Sequence, residues 1–137
     1  MHHALMRRLR RRGVAFVENA TVTRAVTAKT RCEALVTSLP DGERRYRAPS
    51  FVIATGGLFS EGVLTSPGAA REAVFGLPLA VPPTQDDWSN ATFFSPQSHP
   101  FARMGVAVNG NLNPVDREGR TLWRNVRCAG GILGGYD

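Results

Sequence analysis

Twice this chain runs a short strand-like segment into alanine and then a pair of glycines: Val52-Ile53-Ala54-Thr55-Gly56-Gly57, and Val126-Arg127-Cys128-Ala129-Gly130-Gly131. Adjacent glycines weaken any strand or helix they enter, because glycine loses more conformational freedom on folding than any other residue. Two readings stand. Either each pair makes a tight turn at positive φ, which glycine reaches without steric penalty, or something large lies against backbone where a Cβ would collide. The run from Phe51 to Ala54 is apolar on both faces, as a strand inside a covered sheet should be. In open α/β sheets ligands lie outside the carboxyl ends of the strands, which is where both pairs fall. The pattern predicts a two-part α/β structure in which the strands ending at Ala54 and Ala129 share one sheet.

The rest of the chain supplies the surroundings. Leu5, Met6 and Leu9 fall at helical spacing among Arg7, Arg8, Arg10, Arg11 and Arg12, predicting a short amphipathic helix. Gly13 is a good residue to stop it. Val14 to Val17 reads as a short buried strand. Extended runs follow at Ala20 to Ala28, Cys32 to Leu39 and Arg44 to Ala48. The last two are joined by Pro40-Asp41-Gly42-Glu43, a hairpin signal, so the three predict an antiparallel meander with one wet face. From Leu58 to about Arg103, prolines at 67, 78, 82, 83, 96 and 100 exclude long regular elements. Such an irregular stretch is usually a functional cap or binding segment. Gly105 to Val108 is a further candidate strand, with a turn at Asn109-Gly110 or Asn111 beyond it.

Charge and cysteine content narrow the function classes. The net charge is +6, but residues 1–60 carry 11 basic and 4 acidic side chains, and residues 61–137 carry 6 and 7. The excess is concentrated in the arginine run, which reads as the solvated face of the helix or as a contact for an acidic partner or lipid surface. No RNA-binding aromatic motif or zinc-finger spacing accompanies it. No stretch of about 18 apolar residues is present, so no membrane-spanning helix is expected. Cys32 and Cys128 lie far apart without CxxC or Cys/His spacing and predict two packed, free thiols in a cytoplasmic setting.

Candidate chemistry lies in the cap. Arg71, His99 and Arg103 could meet a phosphate or carboxylate, since guanidinium suits a bidentate oxyanion partner. His99 could move a proton or be a packed residue; Arg71 could equally pair with Glu72. Trp88, Phe93, Phe94 and Phe101 read as the cap's small core rather than a stacking platform. No Ser/His/Asp, Cys/His or metal-ligand constellation is present, so no complete catalytic set is visible.

The segments FVIATGGLFSEGVL, REAVFGLPL, FFSPQ, MGVAVNGNLNP and NVRCAGGILGGYD, in this order and spacing across residues 51–137, resemble the family of the anaerobic glycerol-3-phosphate dehydrogenase B subunit. Residues 1–50 resemble only the general flavoprotein layout. The resemblance implies an α/β chain: a partial flavoprotein dinucleotide-binding fold with an antiparallel β-meander and an irregular cap segment. Residues 1–57 would be part of the flavin-binding domain, 58–104 the cap on the substrate side, and 105–137 the return to the flavin-binding domain.

It implies a flavin-dependent subunit in the oxidation of sn-glycerol 3-phosphate to dihydroxyacetone phosphate, with electrons passed towards membrane quinone. The cofactor would be FMN or FAD. The partners would be the catalytic A subunit and an iron–sulfur C subunit that anchors the complex peripherally to the inner face of the cell membrane. Thr55, Gly56 and Gly57 would lie beside the flavin, Gly130, Gly131 and Asp137 near its ribityl-phosphate region, and the backbone of Val22 near its distal end. The sequence holds no G-x-G-x-x-G and stops before the glycine-rich segment that the family places next. A fragment, inactive by itself, is therefore expected. The alternative is a non-catalytic binding or assembly module that keeps a flavoprotein-like shell.

Overall fold

A computed structural model describes residues 2–66, 69–82, 84–94 and 96–135. Helix α1 spans His2–Arg11. Beyond it the Gly13 N–H donates to the Arg10 carbonyl (3.0 Å) and the Val14 N–H to the Leu9 carbonyl (3.1 Å), with Gly13 at φ +76°. This paired closure of the last turn is the Schellman motif, which needs a left-handed residue where glycine stands.

The predicted strand at residues 14–17 does not form. Val14, Phe16 and Val17 are exposed, and no strand among the described residues pairs with them. Apolar, β-branched residues favour a strand only when a neighbour completes its ladder.

The meander is present. Strands β1 (Thr21–Ala28), β2 (Arg31–Leu39) and β3 (Gly42–Tyr46) form an antiparallel sheet in sequence order. Leu39 pairs with Gly42, so Pro40 and Asp41 are the whole turn, and β3 starts two residues earlier than the sequence suggested. Only β2 alternates strictly enough to enter the core, burying Cys32, Ala34 and Val36 while Glu33 faces water.

Strand β4 (Phe51–Ile53) leads into the cap, which consists of β5 (Val63–Ser66) paired antiparallel with β6 (Ala69–Glu72), the two-residue strand β7 (Leu79–Ala80) and short 3-10 turns. No cap element among the described residues exceeds four residues, as its prolines require. Strand β7 pairs with β8 (Gly105–Val106), shorter than the predicted run to Val108, which survives only as an isolated bridge to Pro114. Strand β9 (Val126–Cys128) pairs parallel with β4. The two strands predicted to share a sheet therefore do so. Val52 is 65% exposed, however, so β4 is covered on one face only among the described residues.

One core joins the pieces: Cys32 from the meander, Phe51 and Ile53 from β4, Val63 and Leu77 from the cap, Val106 from β8, and Val126, Cys128 and Ile132 from the last segment. Two buried asparagines lock its edges. The Asn125 side chain accepts from the Cys32 N–H (2.9 Å) and donates to the Cys32 carbonyl (2.8 Å), taking the place of a neighbouring strand. The Asn113 amide donates to the Val126 carbonyl at 2.6 Å. Each satisfies backbone groups that burial would otherwise leave unpaired.

Candidate functional site at the glycine-tipped strands

The parallel pairing of β4 with β9 brings the two glycine pairs side by side. Pairing continues past the strands, since the Ala129 N–H donates to the Ile53 carbonyl at 2.9 Å. Gly56 and Gly130 then turn the two chains at φ +83° and +75°. Both readings of the pairs acquire a physical basis here, and a third appears. A Cβ on Gly57 would stand 2.9 Å from the Gly131 carbonyl oxygen, and one on Gly62 would stand 2.0 Å from that of Gly56. Gly105 and Gly134 meet in the same way. These glycines let backbone pack on backbone, so a seam of main chain runs beneath the strand tips.

Gly130 differs. A Cβ there would meet nothing within 4 Å, so its positive φ faces open space at the carboxyl end of β9. At Gly56 a Cβ would strike the Ser60 side chain at 2.5 Å, which makes this position a turn whatever else it does. Thr55 carries a buried hydroxyl oxygen without a hydrogen-bond partner. Such a group costs on the order of 1–3 kcal/mol, and orphaned polar atoms are uncommon enough to need a reason. A strand tip with an open glycine, an exposed Ala54 and an unpaired hydroxyl fits the edge of a polar ring system.

Beneath the tips the core holds a buried pair. Glu72 is fully buried, and its carboxylate accepts from the backbone N–H groups of Val74 (2.9 Å) and Phe75 (2.6 Å). Burial pushes the Glu72 pKa up, against the lowering by those backbone donors and by Arg71. Arg71 and Glu72 are consecutive on β6 and point to opposite faces, so the predicted ion pair gives way to backbone capping by Glu72. Burial, with Glu72 nearby, pushes the Cys128 thiol up to about 11. Both cysteines are free and buried, as the sequence predicted.

The cap distributes its candidates differently. The His99 Nδ1 accepts from the Asn90 N–H at 2.9 Å, which leaves Nε2 to donate to the Phe93 carbonyl at 3.0 Å. Both ring nitrogens thus hold the loop together, and a proton relay would have to break it. Arg103 lines a cleft of about 1050 Å³ with Asn90, Gln97, Ser98 and Gly135, whereas Arg71 borders a separate one of about 200 Å³ with Leu64 and Ser66. The three polar candidates therefore do not form one cluster.

Of the aromatics predicted to be core, only Trp88 is buried. Phe93 and Phe94 are 78% and 89% exposed. They form a chain of ring contacts, Phe94–Phe93–His99–Phe101–Phe59, with centroids 5.0 to 6.2 Å apart, ending two residues after Gly57. Proline-bounded turns of three or four residues have no second layer with which to cover these rings.

Val22 lies in β1, partly buried opposite Thr37, and no strand pairing among the described residues joins it to the glycine tips. Asp137 lies outside the described residues. Among the described residues no group of His, Cys, Asp or Glu could hold a metal ion, and no helix is long and apolar enough to cross a membrane. Sequence reasoning missed Asn113, Asn125 and the glycine seam, all of which depend on contacts between distant segments.

A family model described as FAD binding domain matches residues 1–137. The chain is 41% identical over 90 residues to the anaerobic glycerol-3-phosphate dehydrogenase B subunit of Vibrio cholerae, covering 66% of this chain and 20% of that protein. For the Aliivibrio fischeri protein of the same name the figures are 38% over 96 residues, 70% of this chain and 21% of the relative. For that of Yersinia pseudotuberculosis they are 31% over 137 residues, all of this chain and 31% of the relative. The chain thus spans between a fifth and a third of the curated relatives it matches. No solved structure matches it. Of the two flavins the resemblance allowed, the family model supports FAD. With the glycine-tipped parallel strands already in place, the match over the whole length shows that the chain belongs to the FAD binding domain family.

Proposed function

We propose that this chain is part of a flavin-dependent dehydrogenase subunit that takes part in oxidising sn-glycerol 3-phosphate to dihydroxyacetone phosphate. The observation that carries the reading is the parallel β4–β9 pair, which sets Gly56-Gly57 against Gly130-Gly131 at the carboxyl ends of two adjacent strands. Thr55, Gly56 and Gly130 would hold the edge of FAD there, with Gly57 and Gly131 supporting them from the seam. Asp137 and Val22 are proposed contacts on the resemblance alone.

The flavin, when bound, supplies the acceptor for the electron pair leaving the substrate alcohol. The chain's own residues bind and orient. The open tip at Gly130 would admit a flat group close to the backbone. His99 stays in the cap as a loop anchor rather than a base. The relatives' names mark them as one subunit of a larger assembly. The catalytic A subunit, an iron–sulfur C subunit, transfer to quinone and attachment to the inner face of the membrane through those partners complete the proposal.

The exposed aromatic chain from Phe94 to Phe59 favours one second reading, that this segment chiefly contributes a contact surface to the assembly. The complete natural subunit, purified with its partners, distinguishes the two. Stoichiometric flavin absorbance and reduction of an artificial acceptor dye dependent on glycerol 3-phosphate support the dehydrogenase. A flavin-free subunit whose removal leaves dye reduction unchanged would leave only the contact role.

A further inference from the structure

The run Val14-Ala15-Phe16-Val17 is held in place but left unpaired. The closure of α1 sets its start, because the Val14 N–H donates to the Leu9 carbonyl at 3.1 Å and Gly13 turns the chain at φ +76°. Arg10 holds the far end. Its guanidinium lies 5.6 Å from the Phe16 ring centroid and 3.9 Å from the Glu18 carboxylate. Both ends of the run are thus tied to the last turn of the helix. Among the described residues, no backbone hydrogen bond joins Ala15, Phe16 or Val17 to another segment, and Val14, Phe16 and Val17 are exposed.

The composition of the run shows what kind of neighbour is missing. In an extended chain Val14 and Phe16 point to one side and Ala15 and Val17 to the other, so both faces are apolar. A strand apolar on both faces belongs inside a covered sheet, whereas a strand with one wet face alternates. Its open N–H and C=O groups are an unfilled ladder. Three kinds of occupant could fill it. A lipid surface suits the arginines of α1, but the open backbone groups of an extended segment cannot enter hydrocarbon without losing their water. A second copy could pair along the edge, but a two-stranded ribbon four residues long would leave both apolar faces wet. The rest of the natural subunit could supply both a strand and the layers over it. The chain covers only 20%, 21% and 31% of the three relatives compared, so the greater part of each has no counterpart here. The parallel pair β4–β9 has the same need, since parallel strands are normally covered on both faces and Val52 is exposed.

We propose that residues 14–17 are a strand whose ladder is completed by an apolar, β-branched strand from the remainder of the same subunit. The short chain carries the edge already positioned by α1, and the remainder supplies its partner. This interface involves neither flavin nor substrate, so it stands or falls apart from the dehydrogenase reading.

The test is amide hydrogen exchange, read by mass spectrometry on the complete natural subunit, diluted until monomeric and free of lipid. The peptide covering residues 14–18 should exchange a hundredfold or more slowly than an unstructured peptide of the same sequence. Ala15→Pro and Phe16→Pro take an N–H from opposite edges of the run. At least one of them should raise exchange at the remaining amides tenfold or more, and rates within twofold of wild type in both would overturn the ladder. If neither variant folds, the wild-type measurement decides. Exchange at the unstructured rate in the complete subunit would overturn the proposal. So would protection that appears only on dimerisation, on adding another subunit, or on adding vesicles of anionic phospholipid, because the occupant would then be a second copy, a different chain or lipid.

Discussion

Asn125 offers a quantitative test of how the meander is held to the strand pair. Its side chain satisfies the Cys32 N–H at 2.9 Å and the Cys32 carbonyl at 2.8 Å, and reaches the Pro49 carbonyl at 3.3 Å. Asn125 and Cys32 are both buried, at 5% and 2% exposure, so water cannot replace the amide without opening the core. In Asn125→Ala the two Cys32 backbone groups lose their partner, each at about 1–3 kcal/mol. The expected loss is therefore roughly 2–6 kcal/mol, a large part of the stability of a domain this size. Urea denaturation of the 137-residue chain should show a lower midpoint at unchanged m-value. Amide exchange at Cys32 should quicken more than in the β2–β3 hairpin, whose ladder does not use Asn125. Asn125→Asp keeps an acceptor for the Cys32 N–H but loses the donor and buries a charge, so it should be no better than alanine. A loss below about 0.5 kcal/mol in Asn125→Ala, with Cys32 still protected, would refute the assignment of this side chain as a strand substitute.

Two further predictions rest on the seam and on the buried thiol. Gly57→Ala should destabilise the apo chain by roughly 1–3 kcal/mol, because the new Cβ meets a carbonyl oxygen at 2.9 Å and backbone yields less readily than a side-chain tip; a wild-type melting point would show that the seam can open freely. The Cys128 thiol, with its folded pKa raised to about 11 from 9.0, binds its proton more tightly in the folded state than in the unfolded one. Its stabilisation is complete below about pH 9 and is lost as pH rises towards 11. Cys128→Ala should flatten this alkaline fall in a pH series of urea melts, and an unchanged slope would mean that the thiol titrates as an exposed one.

What the sequence made legible was whatever is specified locally. Pro40-Asp41-Gly42 sets its hairpin through turn chemistry alone, and Gly13 stops α1 through the left-handed region. The echo of Val52-Ile53-Ala54 in Val126-Arg127-Cys128-Ala129 was enough to place two distant strands in one sheet. Features decided by distant neighbours were not legible. Val14 to Val17 has strand-like residues but no pairing partner among the described residues, and Phe93 and Phe94 have aromatic rings but no layer above them. The glycine pairs presented a turn and a ligand floor as alternatives. Only the folded chain reveals the close approach of Gly57 to Gly131, since it joins residues 74 positions apart.

Gly130 separates these roles most directly. Its Cβ direction is open, so Gly130→Ala costs the apo protein only the left-handed strain of one residue, about 1–2 kcal/mol. Gly56, where a Cβ strikes Ser60, would confuse strain with cofactor loss. The decisive measurement is FAD affinity by flavin fluorescence on the complete natural subunit, alongside the melting point of its cofactor-free form, because bound flavin itself raises apparent stability. If FAD lies against the strand tips, Gly130→Ala lowers affinity tenfold or more, at least about 1.4 kcal/mol, while the apo protein stays folded and melts only slightly earlier. A variant that binds FAD as tightly as wild type would contradict the account and leave Gly130 as a turn and nothing more.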